Sequence, residues 1–241
     1  MIALLCSVQN EAGLLLAQAT VFENMTLGSK SIYVGTLEHQ EICLCVGGMG
    51  KVNAAHAATL LFTQFSPKSL ILFGIGGAYP ASGAVVGDVA LAREEIAGDE
   101  GVLTLDGFKD TEYISIPLAR AAGSNFFNCF PASETLLSRA QNAVTRVMEG
   151  ERIHTGTFVT LSTCTGTSNR AAELDTHYNG LCENMEGAAA AQVATLHGIP
   201  WIEVRGISNI VENRDLNKWD IPLAAEAAQK AVIGILKEWD M

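Results

Sequence analysis

Basic residues are scarce in this 241-residue chain: 15 Lys and Arg stand against 26 Asp and Glu, a net charge of −11. Surfaces that bind nucleic acid or an anionic membrane reward clusters of cations, so neither partner is expected. Charged residues make up only 17% and hydrophobic ones 49%, which excludes a disordered chain and supplies a large core. No Cys-x-x-Cys pair occurs among the cysteines at 6, 43, 45, 129, 164 and 182. Zinc ribbons and thioredoxin-like sites need that spacing, so these read as small buried thiols of a reducing compartment. The histidines at 39, 56, 154, 177 and 197 lack ligand spacing, and no metal or cofactor is expected. A basic n-region is also lacking, the first lysine being Lys30, so a cytoplasmic location is expected. The uncharged stretch Ser69–Gly87 contains five glycines and Pro80, which suits a buried strand and loop rather than a lipid-facing helix.

What is present alternates between strand-length apolar runs and helical patterns. Ile2–Ser7 reads as a buried strand, followed by a helix over residues 11–19. Ser31–Leu37 and Gln40–Val46 read as a hairpin turning at Glu38-His39. Gly50–Phe65 reads as a helix with Val52, Ala55, Thr59 and Phe62 on one face, and Ser69–Ile75 and Val89–Arg93 as strands. Short strands are expected near Val102 and Tyr113. Ser133–Met148 is an amphipathic helix, Ile153–Leu161 a strand and Asn169–His177 a short helix. Leu181–Asn184 is a strand running into an Ala-rich helix, Glu186–His197. Trp201–Ser208 is a strand, and Pro222–Trp239 a closing helix with proline just inside its start. The length suits one domain over 1–241. The alternation predicts an α/β fold with a sheet covered on both faces.

Two glycine clusters follow apolar strands, Gly47-Gly48-Met49-Gly50 and Gly74-Ile75-Gly76-Gly77. Neither completes a dinucleotide fingerprint, because Asn53 and Tyr79 occupy the third glycine position. Gly50-Lys51 is not a P-loop, because Cys45 and Val52 replace the first glycine and the Ser/Thr. Two readings remain: tight strand-to-helix turns, or backbone that approaches a ligand at the ends of strands.

Four segments in order carry a resemblance: Ser7-Val8-Gln9-Asn10-Glu11, Gly47 to Ala55, Glu183-Asn184-Met185-Glu186-Gly187-Ala188, and Val204-Arg205-Gly206-Ile207-Ser208-Asn209. With Gly74–Gly77 and Gly87-Asp88-Val89 between them, the chain resembles the purine nucleoside phosphorylase/nucleosidase superfamily. Within it the chain resembles the methylthioadenosine/S-adenosylhomocysteine nucleosidases. The resemblance implies a three-layer α/β/α sandwich around a mixed, barrel-like central sheet. It also implies a homo-oligomer, a dimer or larger, acting on a small-molecule nucleoside.

By that resemblance Glu11 matches the carboxylate that activates water, although an acid in a first helical turn is also favoured by the helix dipole alone. Glu186 matches the carboxylate that grips ribose hydroxyls and Met185 the side chain that packs on the sugar. A carboxylate there also offsets positive charge developing on the ribose. Arg205 orients one of these acids, with a structural salt bridge as the alternative. Cys164 and Thr165 fall where the family makes purine-stacking and backbone contacts, and Gly76 in the second glycine cluster is a further expected substrate contact. The strand before Gly74 reads Leu70-Ile71-Leu72-Phe73, without the arginine that the superfamily's phosphorylases carry there. Glu11 would repel phosphate, so hydrolysis is favoured. Arg93 and His56 remain possible phosphate contacts.

Adenine-specific nucleosidases have Asp where this chain has Asn209. An ionised Asp only accepts hydrogen bonds, whereas Asn donates and accepts. Its NH2 suits O6 of a 6-oxopurine and its C=O suits N7–H; the alternative is a loop cap. Asn cannot supply a proton, which leaves Asp215 or solvent as the source. The tail Asn209-Ile210-Val211-Glu212-Asn213-Arg214-Asp215, followed by Trp219, is similar to that of the futalosine hydrolases. These release hypoxanthine in menaquinone biosynthesis. The alternatives are a 6-oxopurine nucleoside phosphorylase, a methylthioadenosine/S-adenosylhomocysteine nucleosidase, and a nucleoside-binding module without turnover. Phe126, Phe127 and Phe130 either wall a pocket for the 5′ substituent or belong to the core, with core the stronger reading.

Overall fold

Strand β1 (Ile2–Cys6) has no charged residue, and all five of its side chains are buried. Such a run belongs inside a sheet covered on both faces. The structure, a computed structural model, describes residues 1–148, 150 and 152–239. Among these residues ten strands form one mixed sheet. After β1 come β2 (Thr20–Leu27), β3 (Lys30–Leu37), β4 (Gln40–Val46), β5 (Leu70–Ala78) and β6 (Val89–Ala97). The rest are β7 (Cys129–Pro131), β8 (Ile153–Thr160), β9 (Gly180–Asn184) and β10 (Trp201–Ile210). The order runs β7-β6-β8-β9-β5-β1-β4-β3-β2. Strand β10 pairs with both β5 and β6, so β5, β10, β6, β8 and β9 close into a five-stranded barrel. Two short hairpins, Val102–Lys109 and Ala119–Phe126, lie outside the sheet.

The helices are α1 (Gly13–Gln18), α2 (Lys51–Phe65), α3 (Glu134–Val147), α4 (Ser168–Tyr178), α5 (Gly187–His197) and α6 (Ile221–Lys237). Helices α2 and α5 cover one face through small side chains, Ala54, Ala57 and Ala58 meeting the run Ala188–Ala191 in one apolar cluster. Helices α3 and α6 cover the other, with Ala140, Val144, Ala231, Val232 and Ile235 packed on Ile71, Phe73 and Val204. The α/β/α sandwich around a barrel-like sheet is therefore as expected. Asp220 caps α6 by accepting from Leu223 N at 3.0 Å, and Pro222 sits in its first turn. A methyl group on Gly206 would stand 1.9 Å from Ala224 O, so the absence of a side chain there lets α6 lie directly on β10.

Several expectations need correction. The first helix is a 3₁₀ turn (Gln9–Glu11) followed by α1, and the chain then forms β2. Six of the eight β2 residues are exposed, so no apolar run marked this edge strand. Tyr113 lies in a turn. Helix α2 does not present Val52 and Thr59 to the core; Val52 is 84% exposed, and the buried face is Ala54, Ala57, Ala58, Leu61 and Phe62. Gly74–Gly77 is not a strand-to-helix turn: β5 runs straight through it. A methyl group on Gly76 would fall 2.3 Å from Cys182 Sγ, so this glycine serves strand packing.

Candidate active site

The 3₁₀ turn after β1 carries Glu11 inward, where it is 3% exposed. Its Oε2 accepts from Ser7 N (2.9 Å) and Val8 N (3.1 Å), and its Oε1 from Ile75 N (3.0 Å). Burial raises the Glu11 pKa above the ordinary 4.5, against the opposing pull of Arg205 and these three N–H donors. Both Glu11 and Arg205 reach across Gly74, where a methyl group would lie 2.6 Å from Glu11 Oε1 and 2.9 Å from Arg205 Nη1. Gly74 is thus the spacer that lets acid and guanidinium approach.

Arg205 is buried on β10. Its Nε donates to Glu203 Oε1 at 2.7 Å, and its Nη1 donates to Ile75 O (3.0 Å) and Glu186 Oε2 (3.3 Å). Burial opposes the charge, but Glu203, Glu186 and Glu11 outweigh it and keep the guanidinium protonated. Its Nη2 has no partner among the described residues. Glu186 immediately precedes α5 and accepts from Gly50 N at 2.8 Å through Oε1, which ties it to the start of α2. The first glycine cluster is the strand-to-helix turn of the first reading, joining β4 to α2 with Gly48 and Gly50 at positive φ, and it also brings the Gly50 backbone to a site carboxylate.

Strand β10 contains a bulge. Ile207 pairs with Gly76 and Asn209 with Gly77, so Ser208 is the extra residue. Ser208 and Asn209 both line the cavity. Asn209 Oδ1 accepts from Ser208 Oγ (2.8 Å), and its Nδ2 donates to Ile210 O (3.1 Å). On the other side of Gly77, β9 pairs Glu183 with the same residue. Glu183 is buried and also lines the cavity. It accepts from Thr165 N (2.7 Å) and Tyr79 Oη (3.2 Å). Burial raises its pKa, and those donors oppose the rise.

These side chains enclose a cavity of about 200 Å³. The structure brings Glu11, Gly76, Cys164, Thr165, Met185, Glu186, Arg205 and Asn209 into it. Cys164 Sγ stands 3.5 Å from Met185 Sδ, two soft atoms in contact at the wall. Asp215 is not brought in: its carboxylate caps the turn Leu216–Lys218 by accepting from Asn217 N at 3.1 Å. The tail instead contributes Trp219, with the Arg214 guanidinium 4.7 Å from its ring centre. Arg93 and His56 are exposed and lie outside the cavity. Phe130 is fully buried and stacks with Phe126 at 6.2 Å, away from the site. Sequence reasoning assigned no role to Glu183 or Ser208. The available signal was a charged residue in an otherwise buried strand just before Met185-Glu186. No cluster suited to a metal ion occurs among the described residues.

The site thus sets two carboxylates and a buried arginine at the strand ends of a barrel-centred α/β/α fold. The description "Phosphorylase superfamily" matches residues 1–237, and the chain belongs to that family. It is 26% identical over 240 residues to the 5′-methylthioadenosine/S-adenosylhomocysteine nucleosidase of Staphylococcus carnosus, covering 98% of this chain and 99% of that one. It is 33% identical over 205 residues to the futalosine hydrolase of Streptomyces coelicolor, covering 81% and 80%. The nucleosidase of Neisseria meningitidis, solved with methylthio-immucillin-A, superposes with a TM-score of 0.85 at 26% identity over 98% of both chains. Within the family this chain is a nucleosidase, an N-glycosyl hydrolase.

Proposed function

We propose that this chain hydrolyses the N-glycosidic bond of a 6-oxopurine nucleoside, with futalosine as substrate and hypoxanthine and dehypoxanthine futalosine as products. The reading places it in menaquinone biosynthesis. One observation carries it: Asn209 lines the cavity beside Gly77, with Glu183 on the opposite side of the same residue. A 6-oxopurine offers a keto oxygen and N1–H, and gains N7–H as it leaves. Asn209 supplies one donor and one acceptor, and Glu183 supplies acceptors. An adenine edge reverses the first two groups and would leave buried polar atoms mismatched, at about 1–3 kcal/mol.

In the mechanism that follows, water sits between Glu11 and C1′ of the ribose. Glu11, held by three backbone N–H groups, takes one proton from it as the C–N bond breaks. The water oxygen bonds to C1′, the bond electrons pass to the base, and N7 receives a proton from solvent. Glu186 accepts from the ribose hydroxyls and Met185 packs against the sugar. Arg205 holds Glu186 in place. Among the described residues that line the cavity, Arg205 is the one Lys or Arg, against Glu11, Glu183 and Glu186. That balance disfavours a phosphate nucleophile and supports water.

We further propose that residues 1–241 act as one domain in the cytoplasm, as a homo-oligomer and without a cofactor. Apolar side chains left in solvent, such as Phe22 (68% exposed) and Val52, support self-association. A second reading, hydrolysis of methylthioadenosine or S-adenosylhomocysteine, is favoured by the nearly complete coverage of the Staphylococcus carnosus relative. Chromatography of products from futalosine, inosine and methylthioadenosine, with and without phosphate, separates the readings. Hypoxanthine from futalosine without phosphate is expected. Adenine release alone, or a sugar 1-phosphate product, would overturn the proposal.

A further inference from the structure

Two further acids stand behind Arg205. Glu95 on β6 and Glu203 on β10 have no exposed surface, and neither lines the cavity. Glu203 Oε1 accepts from Arg205 Nε, but Glu203 Oε2 is buried with no hydrogen-bond partner among the described residues when both acids are written as carboxylates. Both side chains crowd Gly187: a methyl group there would lie 1.9 Å from Glu95 Oε1 and 2.5 Å from Glu203 Oε2. Two ionised carboxylates facing one another in the core would repel strongly, and Arg205 is already shared between Glu203 and Glu186. One proton resolves both difficulties, because it neutralises Glu95 and gives Glu203 Oε2 a donor.

The remaining bonds of Glu95 lead toward the active site. Its Oε1 accepts from Asn184 Nδ2 (2.6 Å), and its Oε2 meets Thr160 Oγ1 at 2.7 Å. Asn184 Oδ1 accepts from Glu186 N (3.0 Å) and Gly187 N (2.7 Å), and Thr160 Oγ1 accepts from Ala188 N (2.7 Å). The chain of contacts thus runs from Glu95 to the turn that presents Glu186, and through Glu203 to Arg205.

We propose that Glu95 is a positioning residue that stays neutral and donates its proton to Glu203 Oε2, fixing the carboxylate that aims Arg205 at Glu186 and Glu11. The groups facing it are Glu203 from β10, Cys182 and Asn184 from β9, Thr160 from β8 and Cys129 from β7, and none of them supplies a cation. Burial first, then the Glu203 charge, push the Glu95 carboxyl well above its ordinary range. The protonation state is independent of the substrate assigned above, while the effect on rate rests on the nucleosidase reading.

The test is infrared difference spectroscopy of the whole protein at mildly alkaline pH without substrate. A neutral carboxylic acid carbonyl band is expected in the wild type, retained in Glu11→Gln and Glu183→Gln and absent from Glu95→Gln. Its absence from the wild type overturns the proposal. Kinetics with whichever nucleoside is turned over give the second arm. Glu95→Ala is expected to lower kcat by about tenfold or more, and Glu95→Gln, a neutral donor of similar shape, to restore most of it. A Gln variant as slow as the Ala variant contradicts the role. Should Glu95→Gln not fold, the wild-type band decides alone, and no error in the substrate alters it.

Discussion

A base that must be ionised before it can accept a proton sets the acid limb of an enzyme's pH profile. The Glu11 pKa is raised above 4.5 by burial, so its working form exists only above that shifted value. kcat/KM should therefore fall as pH drops through a point above the ordinary glutamate range, and a pH–rate series checks the position. Glu11→Gln should lower kcat by roughly 10²–10⁴-fold with the circular dichroism spectrum unchanged; near-normal turnover would remove Glu11 as the base. Asn209→Asp should lower kcat/KM for 6-oxopurine nucleosides by about tenfold to a hundredfold and raise it for 6-aminopurine ones. At this scale the sequence was informative where motifs are local: Glu11, Met185-Glu186 and Asn209 lie within short ordered segments. Asp215 lies outside the cavity lining because proximity in sequence does not say which way a side chain turns, and here it turns to cap a 3₁₀ turn. Glu183 gained no role because its place opposite Asn209 exists only once β9 and β10 both pair with β5.

Elements pack here through positions without side chains, and those positions make sharp tests. Gly206→Ala would drive a methyl group into Ala224 O and push α6 from β10. A loss of about 1–3 kcal/mol is expected, read as a lower urea midpoint. Gly13→Ala, with open space around it at the start of α1, should be neutral or stabilising by roughly 0.4–1 kcal/mol. Equal effects of the two would contradict the packing account. The alternation of strands and helices was legible because buried strands are apolar throughout, as in β1 and the first half of β5. Strand β2 was not, because its exposed edge has no apolar alternation. The face of α2 was misassigned because alanines, not the larger Val52, meet α5. The glycines of β5 resembled a turn because sequence alone does not separate glycine that bends a chain from glycine that admits a neighbour.

The whole molecule joins these parts through a closure that no local pattern announces. The barrel forms because β10 pairs with β5 on one side and β6 on the other, across separations of more than a hundred residues. Periodicity predicted a covered sheet, and the barrel itself came from family resemblance. Closure also assembles a cavity with an excess of carboxylates over cations among the described residues. Adding phosphate should therefore leave the rate unchanged, as a direct assay would show. The most direct measurement compares kcat/KM for futalosine with that for its 6-amino counterpart, the same molecule apart from one base edge, in phosphate-free buffer. The account predicts a preference for futalosine of about tenfold or more. Equal rates, or a preference for the amino compound, would contradict it.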